Sequence, residues 1–342
     1  MTRRVVIDLA SPRPDWRIAD TTVGAIGAAL GPGWDVAWVR TPAESAGDGG
    51  SGSPEAVRAA RGAEIYLGYG VPRAVVAAGR GTLQWVHTAT AGVAASVAHL
   101  AGSGIVLTNS AGVHADPIAD WTVAAIGYFT RGLDRMREYQ AAARWATAEL
   151  TAVPVQVREF AELRLGVFGL GGIGAAIARR ATALGMSVAA VRRHPERGGP
   201  PGLRWVAGLD GLARLATESD CFVIAAPHTS ETNGAVTGTV LDHLPPQAIV
   251  VNVSRGTLLD ERALMERLDA GRLRGAALDV FAVEPLPPGH PLWHHPRVLV
   301  SPHVAAVAAR FWEREAGLIV ANITRYLAGS PLMNTVDSEA GY

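Results

Sequence analysis

The sequence predicts an α/β protein built as two parallel-sheet domains. Three observations carry that prediction. Short apolar runs alternate with helical patterns almost throughout the 342 residues, the alternation restarts at Leu165, and the restart coincides with a glycine-rich turn set between an apolar run and an alanine-rich helical pattern. At roughly 150 residues per domain the length suits two domains, and 49% hydrophobic residues suffice for two cores.

Met1-Thr-Arg-Arg-Val-Val-Ile-Asp8 begins basic, but Asp8 interrupts its apolar run after a few residues, so it reads as a first strand and not a signal peptide. Val5–Leu9, Val36–Val39, Ile65–Tyr69, Trp85–Thr88 and Val106–Thr108 read as strands, with Thr21–Leu30, Pro54–Arg61 and Pro72–Ala78 as helices between them. Ala43–Ser53 is a flexible surface loop by its glycine and serine content. Asp116 is placed to cap, and Pro117 to open, one long helix reaching about Ala146 and joining the domains. Thr147–Leu163 is irregular and is expected to form an arm packed on a second subunit. The second set of strands starts at Leu165 and continues through Ser187–Val191, Cys221–Ala226, Ile249–Val253, Gly275–Leu278 and Val298–Val300. Beyond Pro302-His303, the pattern Val307–Leu327 predicts a terminal helix that returns to the first domain and makes it discontinuous. The expected division is 1–108 plus 301–342 for one domain and 109–300 for the other.

Thirty-one basic residues balance 31 acidic ones, which argues against nucleic-acid or anionic-membrane partners. No apolar stretch reaches the ~18 residues of a membrane span. The single cysteine, Cys221, cannot make an internal disulfide, which suits a reducing cytoplasm, and its apolar run marks it as a buried structural thiol. His290, His294 and His295 lie in a proline-interrupted loop without an acidic or thiol cluster, so no metal site is expected.

The restart reads Leu165-Gly-Val-Phe-Gly-Leu-Gly-Gly-Ile-Gly174. Strand before, helix after and the GxGxxG spacing predict a Rossmann-like dinucleotide site. Gly169 allows a tight turn, Gly171 lets a pyrophosphate approach the backbone, and Gly174 lets helix and strand pack closely. Gly172, Ile173 and Gly174 present the free N–H groups of the new helix to the phosphates.

Three later strands end in chemically able residues. Arg255 follows Ile249–Ser254, Glu284 follows Ala277–Phe281, and His303 follows Val298–Ser301. In open α/β sheets, sites lie outside the carboxyl ends of the strands. Taken singly, an Arg-Gly after a strand is an ordinary turn, Glu-Pro a solvated loop and a histidine a structural residue. Together they bring an arginine, a carboxylate and an imidazole to one edge, next to the dinucleotide site. Imidazole titrates near neutral pH and can deliver a proton, a neighbouring carboxylate stabilises imidazolium, and guanidinium offers a planar fork to a carboxylate or polarised carbonyl.

Gly169–Gly174, Val251-Asn-Val-Ser-Arg-Gly256, Ala277-Leu-Asp-Val-Phe-Ala-Val-Glu-Pro-Leu286 and Ser301-Pro-His-Val-Ala305 together resemble the D-isomer-specific 2-hydroxyacid dehydrogenase family. The motifs span about half the chain, and the two-domain pattern extends the likeness to nearly all of it. The resemblance implies Rossmann-like and flavodoxin-like domains with the active-site cleft between them. It also implies that Arg255 binds substrate, that His303 is the acid/base and that Glu284 is its partner. The family's substrate-carboxylate loop corresponds to Thr88–Val93, so the backbone of Ala91, Gly92 and Val93 is expected to hold the substrate. Pro227, Thr232 and Val253 match cofactor-lining positions, and Asp279 matches a contact to the nicotinamide amide. Ala282 departs from the glutamate many relatives carry before the catalytic one. Thr88–Thr90 lack the arginine that phosphoglycerate-type members place in this loop.

The strand Ser187–Val191 ends in Arg192-Arg193 and meets no carboxylate before Glu196. NAD-selective folds place an acidic residue there, whereas arginine suits a 2′-phosphate. The expected cofactor is therefore NADP, with NADPH preferred and NAD possible. The expected activity is reduction of a small 2-keto acid such as glyoxylate or hydroxypyruvate to the D-2-hydroxy acid by a cytoplasmic homodimer. Lactate-type, phosphoglycerate-type and bulkier acids stay open, as does a non-catalytic dinucleotide-sensing role.

Overall fold

The computed structural model describes residues 2–43, 47–152 and 157–337. Packing divides the chain into two units, Met1–His114 with Val307–Tyr342, and Ala115–Ala306. Both boundaries fall later than the expected 108/109 and 300/301. The first does so because the turn after the fifth strand packs with the terminal segment: His114 stacks on Phe311, with ring centroids 5.2 Å apart.

The first unit runs β1 (Arg3–Asp8), α1 (Asp20–Leu30), β2 (Trp34–Trp38), α2 (Pro54–Ala59), β3 (Ile65–Gly68), α3 (Arg73–Ala78), β4 (Trp85–Thr88), α4 (Ala94–Leu100) and β5 (Val106–Asn109). Its sheet has the order β2-β1-β3-β4-β5, all parallel, which is the flavodoxin-like winding. Alternation along the strands feeds two cores. Val5, Ile7, Ile65, Leu67 and Trp85 face one side, and Val6, Tyr66, Val86 and Leu107 the other.

The second unit begins with α5 (Ala115–Thr130), α6 (Leu133–Ala141) and α7 (Thr147–Thr151). It continues with β6 (Arg164–Phe168), α8 (Gly172–Ala183), β7 (Ser187–Val191), β8 (Leu203–Ala207), α9 (Leu212–Thr217), β9 (Cys221–Ile224) and α10 (Gly238–Asp242). It ends with β10 (Ala248–Asn252), α11 (Glu261–Asp269), β11 (Leu273–Leu278) and β12 (Val298–Val300). Its seven parallel strands lie in the order β12-β11-β10-β9-β6-β7-β8. The chain winds outward one way from β6 and the other way from β9, so the switch point lies between them. Residues from alternate strand faces and from α5, α8 and α11 close a core on each side of the sheet. The terminal helix α12 (Phe311–Leu327) belongs to the first unit, where Ile319 and Ile323 pack with Ile26 and Leu30 of α1.

Four expectations need correction. The long helix expected to about Ala146 breaks after Thr130, where Gly132 takes φ +68° and α6 restarts. Asp116 lies inside α5 and pairs with Arg180 at 3.0 Å, so it is not the cap. In the glycine-rich loop, residues 44–46 lie outside the described set, but Asp48 is tied down. Its carboxylate accepts the N–H groups of Ala95 and Ser96 at 2.7 and 2.8 Å and so caps α4. The stretch 147–163 holds α7 and a single 3₁₀ turn at Phe160–Glu162, with 153–156 outside the described residues.

Candidate active site

In the second unit, the loops leaving β6, β9, β10, β11 and β12 emerge at the carboxyl edge of one parallel sheet. The three motif glycines have three different surroundings. Gly169 turns at φ +99°, and a Cβ there would collide with the backbone of Ala226 in the loop after β9. A Cβ on Gly174 would strike the carbonyl oxygen of Gly169, so α8 can approach β6 only because this position is bare. Gly171 faces open space, with nothing within 4 Å of an added Cβ, and no side chain caps the α8 N-terminus. A turn, a close contact and an open approach ahead of uncapped N–H groups fit a pyrophosphate on this edge.

At the end of β7, Arg192 braces its own loop, donating from Nη1 to the Gly198 carbonyl at 2.9 Å. Arg193 lies 3.3 Å from Glu231, both exposed. Glu196 turns to His194 at 3.2 Å. After β9, the buried Thr232 hydroxyl donates to the Pro227 carbonyl and accepts the Thr229 N–H at 2.8 Å, closing the 227–232 turn. Val253 is buried, and the Ser254 hydroxyl donates to the Ala226 carbonyl, joining the loops after β9 and β10.

The loops that carry Arg255 and Glu284 meet around one peptide. The backbone of Gly256, next to Arg255, presses so closely on the Phe281–Ala282 peptide that no Cβ fits. The N–H groups of that stretch are held by carboxylates. Phe281 donates to Glu284 Oε1 at 2.9 Å, and Ala282 donates to Glu261 Oε1 at 2.7 Å. The other oxygen of Glu284 sits 2.7 Å from His303 Nδ1. A carboxylate only accepts, so Nδ1 carries the proton, and Nε2 has no hydrogen-bond partner among the described residues. The His303 side chain is 48% exposed and that of Glu284 33%, open enough to meet a substrate. The exposed Arg255 donates from Nη1 to the Ser254 carbonyl at 2.7 Å, and no carboxylate among the described residues pairs with it.

Asp279, expected at the nicotinamide amide, braces the histidine loop. Its carboxylate accepts Ser301 Oγ at 2.6 Å, the Val304 N–H at 2.8 Å and the Ala305 N–H at 3.0 Å. Burial holds its carboxyl above the ordinary carboxylate value, even against those bonds and the nearby His303. The loop needs such a brace because His303 takes φ +55°, a backbone region costly for a residue with a Cβ. Glu261 and the Gly256 contact escaped the sequence reading. Asp260 followed by an amphipathic run does mark the start of α11, but nothing local points from Glu261 to Ala282.

In the first unit, Thr90 Oγ1 bonds the carbonyls of Tyr69 and Gly92 at 3.1 and 3.0 Å, and Asn109 Nδ2 bonds that of Ala91 at 3.0 Å. These bonds take carbonyls only. Among the described residues, no acceptor meets the N–H groups of Ala91, Gly92 or Val93. Behind the loop, His87 Nε2 lies 2.9 Å from Glu315 Oε1, with both side chains fully buried. The Ser110 hydroxyl also lies 2.9 Å from Glu315 Oε1 and 2.9 Å from the Thr88 carbonyl. Burial pushes the Cys221 thiol up, as for a structural cysteine.

Comparisons with known proteins agree with this architecture. The family model of the D-isomer-specific 2-hydroxyacid dehydrogenase NAD-binding domain matches residues 123–305, more than half the chain. Glyoxylate/hydroxypyruvate reductase A of Salmonella typhimurium (strain LT2) is 33% identical over 223 residues, covering 65% of this chain and 68% of that protein. A D-isomer-specific 2-hydroxyacid dehydrogenase from Xanthobacter autotrophicus Py2, solved with NADPH and MES, superposes with a TM-score of 0.80 at 32% identity over 100% of both chains. The NADPH-dependent glyoxylate/hydroxypyruvate reductase of Sinorhizobium meliloti, solved with NADP and sulfate, shares the fold. Its TM-score is 0.76 at 23% identity, over 99% of this chain and 100% of that one. The chain therefore belongs to the D-isomer-specific 2-hydroxyacid dehydrogenase family and is an NAD(P)-dependent oxidoreductase acting between 2-keto and 2-hydroxy acids.

Proposed function

We propose that the chain reduces a small 2-keto acid, glyoxylate to glycolate or hydroxypyruvate to its D-2-hydroxy acid, with NADPH as the preferred cofactor. The observation that carries this reading is the His303–Glu284 pair. One ring nitrogen is fixed 2.7 Å from a carboxylate, and the other is left for a substrate oxygen. The bound nicotinamide supplies the hydride. His303 Nε2 delivers the proton to the carbonyl oxygen, while Glu284 stabilises the imidazolium and holds the ring. Arg255, free of a carboxylate partner, binds the substrate's carboxylate or carbonyl end. The open N–H groups of Ala91, Gly92 and Val93 receive the substrate carboxylate. Gly169, Gly171, Gly172, Ile173 and Gly174 cradle the pyrophosphate, and Pro227, Thr232 and Val253 line the cofactor's path.

NADPH is favoured because β7 is followed directly by Arg192 and Arg193 and offers no carboxylate to the ribose. The 33%-identical reductases name the substrate pair, and the Xanthobacter relative was solved with NADPH. We further read the protein as a cytoplasmic homodimer whose 147–163 arm meets a second copy. Trp145, beside that arm, is 96% exposed, and Leu133 and Met136 of α6 are also exposed. No helix among the described residues is long and apolar enough to cross a membrane.

The test is initial-rate oxidation of NADPH and NADH with glyoxylate, hydroxypyruvate, pyruvate and phosphohydroxypyruvate, with chiral analysis of the product. Fast NADPH-linked turnover of the first two is the expected result, with glyoxylate giving achiral glycolate and hydroxypyruvate giving the D-product. No turnover of any 2-keto acid, with dinucleotide still bound, would remove the reductase reading in favour of a sensing role.

A further inference from the structure

The backbone of Phe281 and Ala282 is a hub. Gly256 packs on its face, Glu284 takes the Phe281 N–H, and Glu261 takes the Ala282 N–H. Glu284 has two oxygens and gives one to this turn and one to His303, so its aim at the imidazole depends on where the turn sits. The turn has few other anchors, since 282–285 are exposed and Val283 is 63% exposed. Glu261 reaches it from the first turn of α11, itself anchored where the Asp260 side chain accepts the Ala263 N–H at 2.9 Å. Asp260 and Ala263 therefore fix the helix start, and Glu261 transmits that position to the turn.

We propose that Glu261 is a positioning residue for proton transfer, fixing through Ala282 the turn from which Glu284 addresses His303. The proposal rests on the reading of His303 and Glu284 as the acid/base pair. The charged and titratable groups around Glu261 are Glu284 and His290, with His303 beyond Glu284. Burial holds the Glu261 carboxyl above its ordinary value, against the Ala282 bond and His290 and with the repulsion of Glu284. A half-buried carboxylate kept there against desolvation is consistent with a bond that matters to the turn.

Glu261→Ala removes the acceptor, whereas Glu261→Gln keeps a side-chain oxygen for the Ala282 N–H and removes only the charge. With NADPH and the best 2-keto acid, Glu261→Ala should lower kcat about tenfold, as a loosened catalytic geometry does. NADPH affinity should stay within about twofold, since the glycine loop is not involved. The alkaline fall of kcat/KM should move in Glu261→Ala, because the turn that aims Glu284 at His303 has lost its anchor. Glu261→Gln should restore most of the lost kcat. Unchanged kcat and pH profile in a folded Glu261→Ala variant would overturn the proposal. So would equal losses in both variants with no movement of the alkaline limb, which would mark a merely structural carboxylate. Histidine NMR titration of His303 in wild type and both variants reads the pair without turnover. If wild type reduces no 2-keto acid, the reductase reading fails alone. If the His303 titration is the same in Glu261→Ala as in wild type, the positioning proposal fails.

Discussion

Replacing Gly256 with alanine tests whether the arginine and carboxylate loops are locked together by backbone contact. A Cβ at this position would lie 1.8 Å from the Phe281 carbonyl carbon and 2.1 Å from the Ala282 nitrogen, whereas real Cβ atoms essentially never come within 3.0 Å of another heavy atom. No flexible side chain can yield, so the two loops must part by about an ångström or more. Overpacking of this kind costs ~1–3 kcal/mol of stability, and a displacement of about 1 Å in catalytic geometry can cost ~10²-fold in rate. The expected result is a folded protein, about 1–3 kcal/mol less stable in urea, with kcat/KM reduced roughly 100-fold, or about 2.7 kcal/mol of transition-state stabilisation. Dinucleotide affinity by nicotinamide fluorescence should change little, because β9 separates β10 from the glycine-loop strand β6. Wild-type kcat/KM in Gly256→Ala would refute the reasoning, since it would mean that Arg255 and Glu284 need no fixed relation.

Gly171→Ala is the opposite case. With open space in front of it and φ −84°, the alanine should leave unfolding unchanged to within about 0.5 kcal/mol. It should weaken NADPH binding about tenfold, the scale of one lost charged hydrogen bond (~1.5–3 kcal/mol), and calorimetry showing unchanged affinity would place the pyrophosphate elsewhere. Arg192→Ala should reduce the kcat/KM preference for NADPH over NADH about tenfold by the same measure; an equal loss with both cofactors would show that this side chain does not read the 2′-phosphate. His114→Phe should flatten the acid side of the stability profile. Burial holds the His114 imidazole below its ordinary value of 6.5, so as pH falls past 6.5 the unfolded chain takes up a proton that the folded chain refuses. Stability then falls by up to about 1.4 kcal/mol per pH unit until the folded group also titrates. Urea titrations at pH 5, 6 and 7.5 should show a shallower loss in the variant, and identical slopes would exclude His114 as a source.

Much of this was legible from the sequence where local pattern decides. Strand periodicity located eleven of the twelve strands among the described residues, and the glycine spacing with its flanking strand and helix located the turn from β6 into α8. The missing strand, β8, is half-exposed at the edge of its sheet and carries Arg204 and Trp205, so no apolar run announces it. The helix break at Gly132 was hidden because an isolated glycine inside a helical pattern is usually tolerated. What a sequence does not display is pairing over distance. Asp48 caps a helix 47 residues further along, which turns a segment composed like a loose linker into a held one. Asp279 was placed correctly at a strand end, but its partners are the residues flanking His303. Glu261 and Ala282 are joined across 21 residues by a backbone N–H, which leaves no trace in residue type.

The pairing of His87 with Glu315 across 228 residues bears on how the chain is made. During synthesis, the five strands of the first unit leave the ribosome long before the helix that completes their core. The whole of the second unit must be translated before Ile319 and Ile323 can cover the face shared by Ile7, Leu67 and Trp85, and before Glu315 can reach the buried imidazole. The later-made unit, contiguous in sequence, can close on its own while the earlier one waits with an apolar face uncovered. The N-terminal third of the nascent chain thus keeps an apolar face uncovered until residues 311–327 have been made.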